Sequence, residues 1–339
     1  MIIEGHNTDN KVFIIAEIGN NHEGDFALAE EMMVRAAEAG ADAVKFQTFI
    51  PEYYVSNADA ARLERLRKFQ LKNEQFEKLS FKAKNLGIIF FSTPFDLESA
   101  KFLNNIQSVF KVASGDNTFV QLINEVSGFG KPVIISTGLA DLNVIDSLYD
   151  VIYKEWDGRQ INPGLSFLHC VSSYPVPLDQ ANIGAIHSLK ERYPKAVIGY
   201  SDHTIGSDAA IYAVAAGARI LEKHFTIDKN YSDFRDHQLS ADPGEFSNLV
   251  RAIRKLEVAM GSGIKESQVC EKEMFNPMRR SIAAKKPLSA GTILDLDHFI
   301  WVRPGNGIGP GSEEMLIGRT LGKDFEMGEI ITVKNLLAE

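Results

Sequence analysis

The sequence predicts a (β/α)8 TIM-type barrel followed by a small C-terminal β-rich domain, on three observations. Eight short apolar runs, Val12–Glu17, Asp42–Gln47, Ile88–Ser92, Val109–Ser114, Pro132–Ser136, Leu165–Cys170, Ala196–His203 and Arg219–His224, each end in a charged or polar residue. All but the last few are rich in Val, Ile and Phe, as strands buried on both faces should be. Amphipathic stretches separate them, so strand and helix alternate, and right-handed crossovers make closure into a barrel the simplest arrangement. The chain has 339 residues, more than the roughly 250 of a single barrel.

The elements follow in order. Val12–Ile18 reads as the first strand, Gly19–Gly24 as a polar loop, and Asp25 as the N-cap of a helix over Phe26–Ala39 closed by Gly40. After the second strand, Thr48–Asn57 reads as a long loop. Later helices are expected at about Asp96–Asn105, Val120–Gly128, Leu142–Glu155, Ile183–Arg192, Ser207–Ala216 and Pro243–Met260. The pattern stops at Gly261. This gives a catalytic barrel over 1–261, a polar linker over 262–279 and a β domain over 280–339. The last segment carries an internal echo, because Leu288–Phe299 resembles Phe325–Leu336. So small a domain has a marginal core of its own.

Composition narrows the function. Hydrophobic residues make up 45% and charged residues 24%, as in a soluble globular protein, and the net charge is −9. An acidic balance disfavours a nucleic-acid or anionic-lipid surface, though a local basic pocket remains compatible with it. Cys170 and Cys270 lack metal-type or redox spacing, which suits a cytoplasmic compartment. No secretory leader is read at the N-terminus, and no run is long enough to span a bilayer.

Strand parity places the charges. Alternate side chains share a face, so Phe13, Ile15 and Glu17 point one way, as do Lys45 with Gln47 and Glu222 with His224. Charges under the helices would be stranded in an apolar layer. Glu17, Lys45, Lys111, Glu222 and His224 are therefore assigned to the inner top of the barrel. Lys45 and Lys111, with hydroxyls at Ser92, Thr93, Ser114, Ser136 and Ser201, resemble a cradle for phosphate or carboxylate. Small residues around Gly115 and Gly138 would let backbone N–H groups approach the anion. Alternatively, the lysines pair with Glu17 and Glu222 and the serines cap helices. His203 and His224 end consecutive strands and could share a divalent ion such as Mn2+, with Asp202 and Glu222 orienting the rings. Bland core histidines fit the spacing equally well. His22 reads as a substrate contact or a solvated loop residue, and His169 as a satisfied core residue.

The same residues resemble the sialic acid (nonulosonate) synthase family. The matching stretches are Ala16–Gly24, Val44–Thr48, Ser92–Phe95, Lys111–Gly115, Ser136–Gly138, Ser201–Thr204 and Glu222–Phe225. Arg303–Gly307 resembles that family's antifreeze-like (SAF) domain. The resemblance implies condensation of phosphoenolpyruvate with the open-chain aldehyde of an N-acylated hexosamine, giving a nine-carbon 3-deoxy-2-keto acid and phosphate. It implies that Lys45, Thr93, Lys111, Ser114, Ser136 and Ser201 hold phosphoenolpyruvate. Gln47, Asp116, Tyr174 and Asp236 would line the sugar, and Glu17 and Glu222 would handle protons. His203 and His224 would bind Mn2+, with Mg2+ or Co2+ as substitutes. It also implies a domain-swapped homodimer in which Arg303 reaches the sugar's acyl group; spacing alone reads Arg303 as a surface residue before a turn.

Three departures leave the sugar open. Ser172 stands where relatives often carry Asn or Thr, which bears on its phosphate contact. Asp116 stands where sialic and legionaminic acid synthases usually place Glu. Asp233–His237 replaces a common Gly-Pro-Asp segment, so Arg235 either recognises an extra polar group or covers the site. The alternatives are another phosphoenolpyruvate-dependent 3-deoxy-aldulosonate synthase, or a non-catalytic carbohydrate-binding protein.

Overall fold

Eight parallel strands make the sheet of the first unit: β1 (Phe13–Gly19), β2 (Ala43–Thr48), β3 (Ile89–Pro94), β4 (Phe110–Val112), β5 (Val133–Ser136), β6 (Leu165–Cys170), β7 (Val197–Asp202) and β8 (Ile220–His224). The computed structural model describes residues 1–338, in two units that divide after Gly261. The hydrogen-bonded order is β3-β2-β1-β8-β7-β6-β5-β4, so the chain runs round the ring and β8 returns to pair with β1. Parity separates two apolar layers. Phe13, Ile15, Ala43, Phe91, Val109, Ile134, Leu168 and Ile220 fill the lower interior. Ile14, Val44, Phe90 and Leu221 face the helix layer. An N-terminal hairpin, Ile2–Ile3 with His6–Asn7, adds Ile3 to the interior plug.

The seam between β3 and β4 has no strand ladder. Buried Gln107 replaces one there. Its Oε1 accepts from the Ser92 amide at 2.8 Å and its Nε2 donates to the Ser92 carbonyl at 3.2 Å. One side-chain amide thus satisfies both backbone groups of a buried strand residue.

The expected helices are present with small boundary shifts, from Phe26–Glu38, capped by Asp25, to Pro243–Met260, capped by Asp242. Four readings need correction. The Thr48–Asn57 stretch is not all loop, because Pro51–Tyr54 is helical. Helices Ala60–Phe69 and Asn73–Leu86 have no counterpart in the sequence reading. Half of the first is charged, and only Leu63, Leu66 and Phe69 are buried; Leu66 and Phe69 join Phe49 and Phe95 in a satellite cluster. Its stability comes from that cluster rather than from a broad apolar stripe. The fourth strand stops at Val112, and Ser114–Asp116 turns into a 3-10 helix. Finally, 262–279 is not a plain linker. It contains Val269–Met274 and Phe275–Met278 as helical turns and groups with the second unit.

The second unit has its own core, including Ile282, Leu294, Phe299, Leu316, Leu321 and Ile331. Antiparallel β9 (Ser281–Ala284) and β10 (Phe299–Val302) pair within it. The internal echo has a structural counterpart. Leu288 and Phe325, which open the two copies, exchange backbone hydrogen bonds of 2.9 and 2.8 Å. Equivalent 3-10 turns follow at Leu296–His298 and Val333–Asn335. Among the described residues, no helix is long and apolar enough to cross a membrane.

The seam gives a direct test. Gln107→Leu would leave the Ser92 amide and carbonyl unpaired, at a cost of roughly 1–3 kcal/mol. Urea unfolding should show that loss, and a midpoint equal to the wild type would contradict the bridging role.

Candidate active site

The strand ends converge on one cavity of about 1380 Å³. It is bordered by Glu17, Lys45, Gln47, Thr93, Lys111, Ser114, Asp116, Ser136, Ser172, Tyr174, Ser201, His203, Glu222, His224 and Asp236. Buried Ser92 is not among its lining residues, and its hydroxyl pairs with that of Thr48 at 2.7 Å. Arg303 belongs to the second unit, where it is exposed and its Nε donates to the Met278 carbonyl at 3.0 Å.

Ladder register sets the charge geometry. Glu17 pairs in register with Lys45 on one side and His224 on the other, and Glu222 with Ser201. Lys45 Nζ lies 2.6 Å from Glu17 Oε2 and 3.6 Å from Glu222 Oε1, and it donates to Thr93 Oγ1 at 3.1 Å. Lys111 Nζ lies 3.9 Å from Glu222 Oε2 and donates to Ser136 Oγ at 2.7 Å. Ser201 Oγ donates to Glu222 Oε1 at 3.3 Å. The lysines do pair with the carboxylates, but they do so at the wall of a cavity.

The four charges differ in poise. Burial pushes Glu17 up to about 7, against the pull of Lys45 and with the help of Glu222. Burial also opposes ionisation of Glu222, yet Lys111, Lys45 and His203 hold it below the ordinary carboxylate range. Burial lowers Lys111, with Glu222 opposing. Lys45 feels the same burial, but Glu17 and Glu222 hold it above the usual lysine value. Two carboxylates in one site thus carry opposite shifts, the arrangement that separates a proton acceptor from a fixed anion.

Glu17 is held from behind. Gln47 Nε2 donates to Glu17 Oε1 at 3.2 Å, and Asn20 Nδ2 donates to Gln47 Oε1 at 2.8 Å. A register shift after Glu17 accompanies Gly19, whose φ is +56°. A Cβ at position 19 would lie 3.1 Å from Glu17 Oε1 and 3.2 Å from Gln47 Nε2, so glycine leaves room for this pair. Asn20 was not singled out from the sequence; its place in the loop directly after the first strand was the available signal.

His203 and His224 sit side by side, with ring centroids 5.4 Å apart and planes tilted by 55°. His203 Nδ1 lies 2.9 Å from the Val171 carbonyl. Donation there leaves the lone pair on Nε2. Burial and the neighbouring His203 hold His224 well below the ordinary histidine range, so it is neutral. Its buried Nδ1 has no partner. His203 differs: burial opposes its protonation, yet Cys170, the Val171 carbonyl and Glu222 hold it above the ordinary histidine range. Two adjacent imidazoles beside a polar cavity fit an open divalent site completed by water and substrate oxygens, at which binding the ion displaces the His203 proton. Among the described residues, no cluster of three or more His, Cys, Asp or Glu side chains is arranged to hold an ion. Asp202 does not bond to either ring as expected. It pairs with Lys223 on the opposite face, and the Val171 carbonyl takes the orienting role for His203.

Tyr174 stacks on His203 with centroids 4.2 Å apart, and the Arg235 guanidinium sits 4.9 Å from the Tyr174 ring centre. Arg235 Nε also lies 3.4 Å from Asp236 Oδ1. Burial pushes Asp116 up to about 6, partly offset by Lys111. Its Oδ2 and the Ser172 hydroxyl are buried without partners, as groups awaiting a ligand would be. The Gly138 amide is spent on Ser114 Oγ at 3.1 Å, so it is not the free anion donor expected of it. His22 is buried and accepts from the Gly24 amide at 3.0 Å, neither solvated nor lining the cavity. The overlooked helix Ala60–Phe69 brings Arg62, Arg65 and Lys68 to the rim.

Comparison with known proteins matches this geometry to a family. Residues 32–265 match the NeuB family and residues 279–337 the SAF domain. The chain is 37% identical over 335 residues to an N,N'-diacetyllegionaminic acid synthase of Campylobacter jejuni, covering 95% of this chain and 99% of the relative. It is 36% identical over 349 residues to a pseudaminic acid synthase of the same species, covering 98% of each. Among solved structures, an N-acetylneuraminic acid synthetase from Leptospira borgpetersenii, in complex with citrate, superposes with a TM-score of 0.74. Its identity is 36%, over 78% of this chain and 90% of that one. The chain therefore belongs to the NeuB family of sialic acid-type (nonulosonate) synthases, which places it among the transferases that form a carbon–carbon bond with phosphoenolpyruvate.

Proposed function

We propose that this chain condenses phosphoenolpyruvate with the open-chain aldehyde of an N-acylated hexosamine. The products are a nine-carbon 3-deoxy-2-keto acid and inorganic phosphate. The observation that supports the reading is the row of alternating buried charges, Glu17, Lys45, Glu222 and Lys111, beside two adjacent imidazoles in one cavity. Lys45 and Lys111, with Thr93, Ser114, Ser136, Ser172 and Ser201, bind the phosphate and carboxylate of phosphoenolpyruvate. His203 and His224 hold a divalent ion, with Mn2+ the best fit to this donor set, which would polarise the aldehyde oxygen and stabilise the developing alkoxide. Gln47, Asp116, Tyr174 and Asp236 line the acceptor sugar.

The residues divide the remaining work. The enol carbon of phosphoenolpyruvate attacks the aldehyde, and positive character develops at the carbon bearing phosphate. Glu17, with its raised proton affinity, accepts a proton from the water that attacks there. Glu222 stays anionic between two ammonium groups and keeps them aligned. Lys45 and Lys111 stabilise the departing phosphate. N-acetylmannosamine and diacetamido-deoxy sugars both fit this chemistry. Legionaminic- and pseudaminic-type relatives are about equally similar to the chain, so identity does not choose between them.

The small domain completes the site from a second copy. Arg303 is far from any cavity-lining position in sequence and is exposed, as are Ile264, Val269, Met274, Phe275 and Met278. A partner subunit covering that apolar run and receiving Arg303 at its sugar's acyl group accounts for both features. Two unpaired cysteines suit a cytoplasmic location.

Three outcomes are expected. Glu17→Gln should lower kcat by about 10²–10⁴-fold, while calorimetry shows phosphoenolpyruvate and Mn2+ binding nearly unchanged; near-normal turnover would contradict the base role. Mixing Glu17→Gln with Arg303→Ala protein after subunit exchange should restore about a quarter of wild-type activity, because a swapped dimer rebuilds one intact site. No recovery would exclude exchange of Arg303 between subunits. Burial on folding pushes Asp116 up from an ordinary 3.8 to about 6, against Lys111. The folded state therefore binds an extra proton in that window, and its stability falls as pH rises through it. Asp116→Asn should raise Tm at about pH 7.5 and change it little near pH 4; a shift equal at both would deny the burial cost.

A further inference from the structure

Lys223 breaks the rule that keeps charge out of the helix layer. Its neighbours Glu222 and His224 border the cavity, so its own side chain points the opposite way. It is 1% exposed. An ammonium group there is costly unless paired, and its pairing is specific. Lys223 Nζ lies 2.8 Å from Asp202 Oδ2 and donates to the Thr204 carbonyl at 2.5 Å. Asp202 Oδ1 in turn accepts from the Thr204 amide at 2.9 Å and the Thr204 hydroxyl at 2.8 Å.

The connectivity matters more than the burial. His203 falls one residue beyond the last residue of β7, so no ladder fixes it. Asp202 and Thr204 flank it, and the ammonium grips both. The residue that carries the ammonium immediately precedes His224. One buried cation therefore ties the backbone on both sides of one imidazole to the strand that carries the other. The Thr204 end is also joined to the segment bearing Tyr174, through the Val176 amide donating to the His203 carbonyl at 2.9 Å.

We infer that Lys223 and Asp202 are positioning residues, which hold His203 and His224 at the separation and tilt that a shared divalent ion requires. The inference rests on the two-histidine seat of the proposed function. Groups one layer behind metal ligands act on affinity through ligand geometry, and their loss costs about 10–100-fold in binding. The pair touches neither the cavity wall nor the anion cradle, so phosphoenolpyruvate binding should not depend on it.

The test titrates Mn2+ into the full-length protein, read by electron paramagnetic resonance of free and bound ion. Urea midpoints and phosphoenolpyruvate calorimetry are measured alongside. Lys223→Met should weaken Mn2+ binding by about 10–100-fold, with phosphoenolpyruvate affinity within about threefold of wild type. Asp202→Asn keeps an acceptor for Thr204 but loses the charge, and it should shift Mn2+ affinity in the same direction by a smaller factor. It decides the question alone if Lys223→Met does not fold. Folded variants that bind Mn2+ within about twofold of wild type, whatever their urea midpoints, would overturn the positioning role. His224→Ala separates the two levels. If it binds Mn2+ as tightly as wild type, the histidine seat itself fails and takes this inference with it.

Discussion

Everything at the mouth of this barrel depends on cancelling four charges that water scarcely reaches. Glu17, Lys45, Glu222 and Lys111 are each at most 5% exposed. A lone carboxylate or ammonium at that depth would give up its charge. Each keeps a role because a neighbour of opposite sign stands on another strand: β1 beside β2, β8 beside β1, and β4 across the ring. Only a closed sheet brings these four ends together. The fold is therefore a condition of the electrostatics, and the apolar plug of Phe13, Phe91, Ile134 and Leu168 below them keeps the lower end dry.

The same cluster is a site in waiting. Its formal charges balance before any ligand arrives, so the proposed anionic substrate and divalent cation would enter together at little electrostatic cost. The geometry puts the two kinds of binding group on different walls. Ammonium and hydroxyl groups on β2 to β5 form the wall proposed for the anion, and imidazoles at the ends of β7 and β8 the wall proposed for the cation. Glu17 and Glu222 lie between them. Opposite shifts in their proton affinities suit one to accept a proton and the other to remain a fixed charge.

Much of this was legible in the chain. Alternation along the strands placed Glu17, Lys45, Glu222 and His224 on one face, and register then made them neighbours. What escaped had no periodic signal. Gln107 joins two strands through a side chain, which no pattern of apolar residues encodes. The helix Ala60–Phe69 is held by three buried residues in a charged segment, and its packing partners are distant in sequence. The rule that helix-facing charge is stranded failed at Lys223, because its partner Asp202 lies on the neighbouring strand at the same level. Asp202 was misread as a direct partner of the imidazole rings: adjacency in sequence was taken for adjacency of side chains, which parity denies to consecutive residues.

The account stands on an anion wall and a cation wall sharing one cavity, and diffraction can see both at once. Crystals grown with Mn2+ and phosphoenolpyruvate should show an anomalous peak at the manganese edge between His203 and His224. The phosphate and carboxylate of the ligand should lie within hydrogen-bonding distance of Lys45 and Lys111. Manganese bound away from both imidazoles, or phosphoenolpyruvate bound away from both ammonium groups, would contradict it.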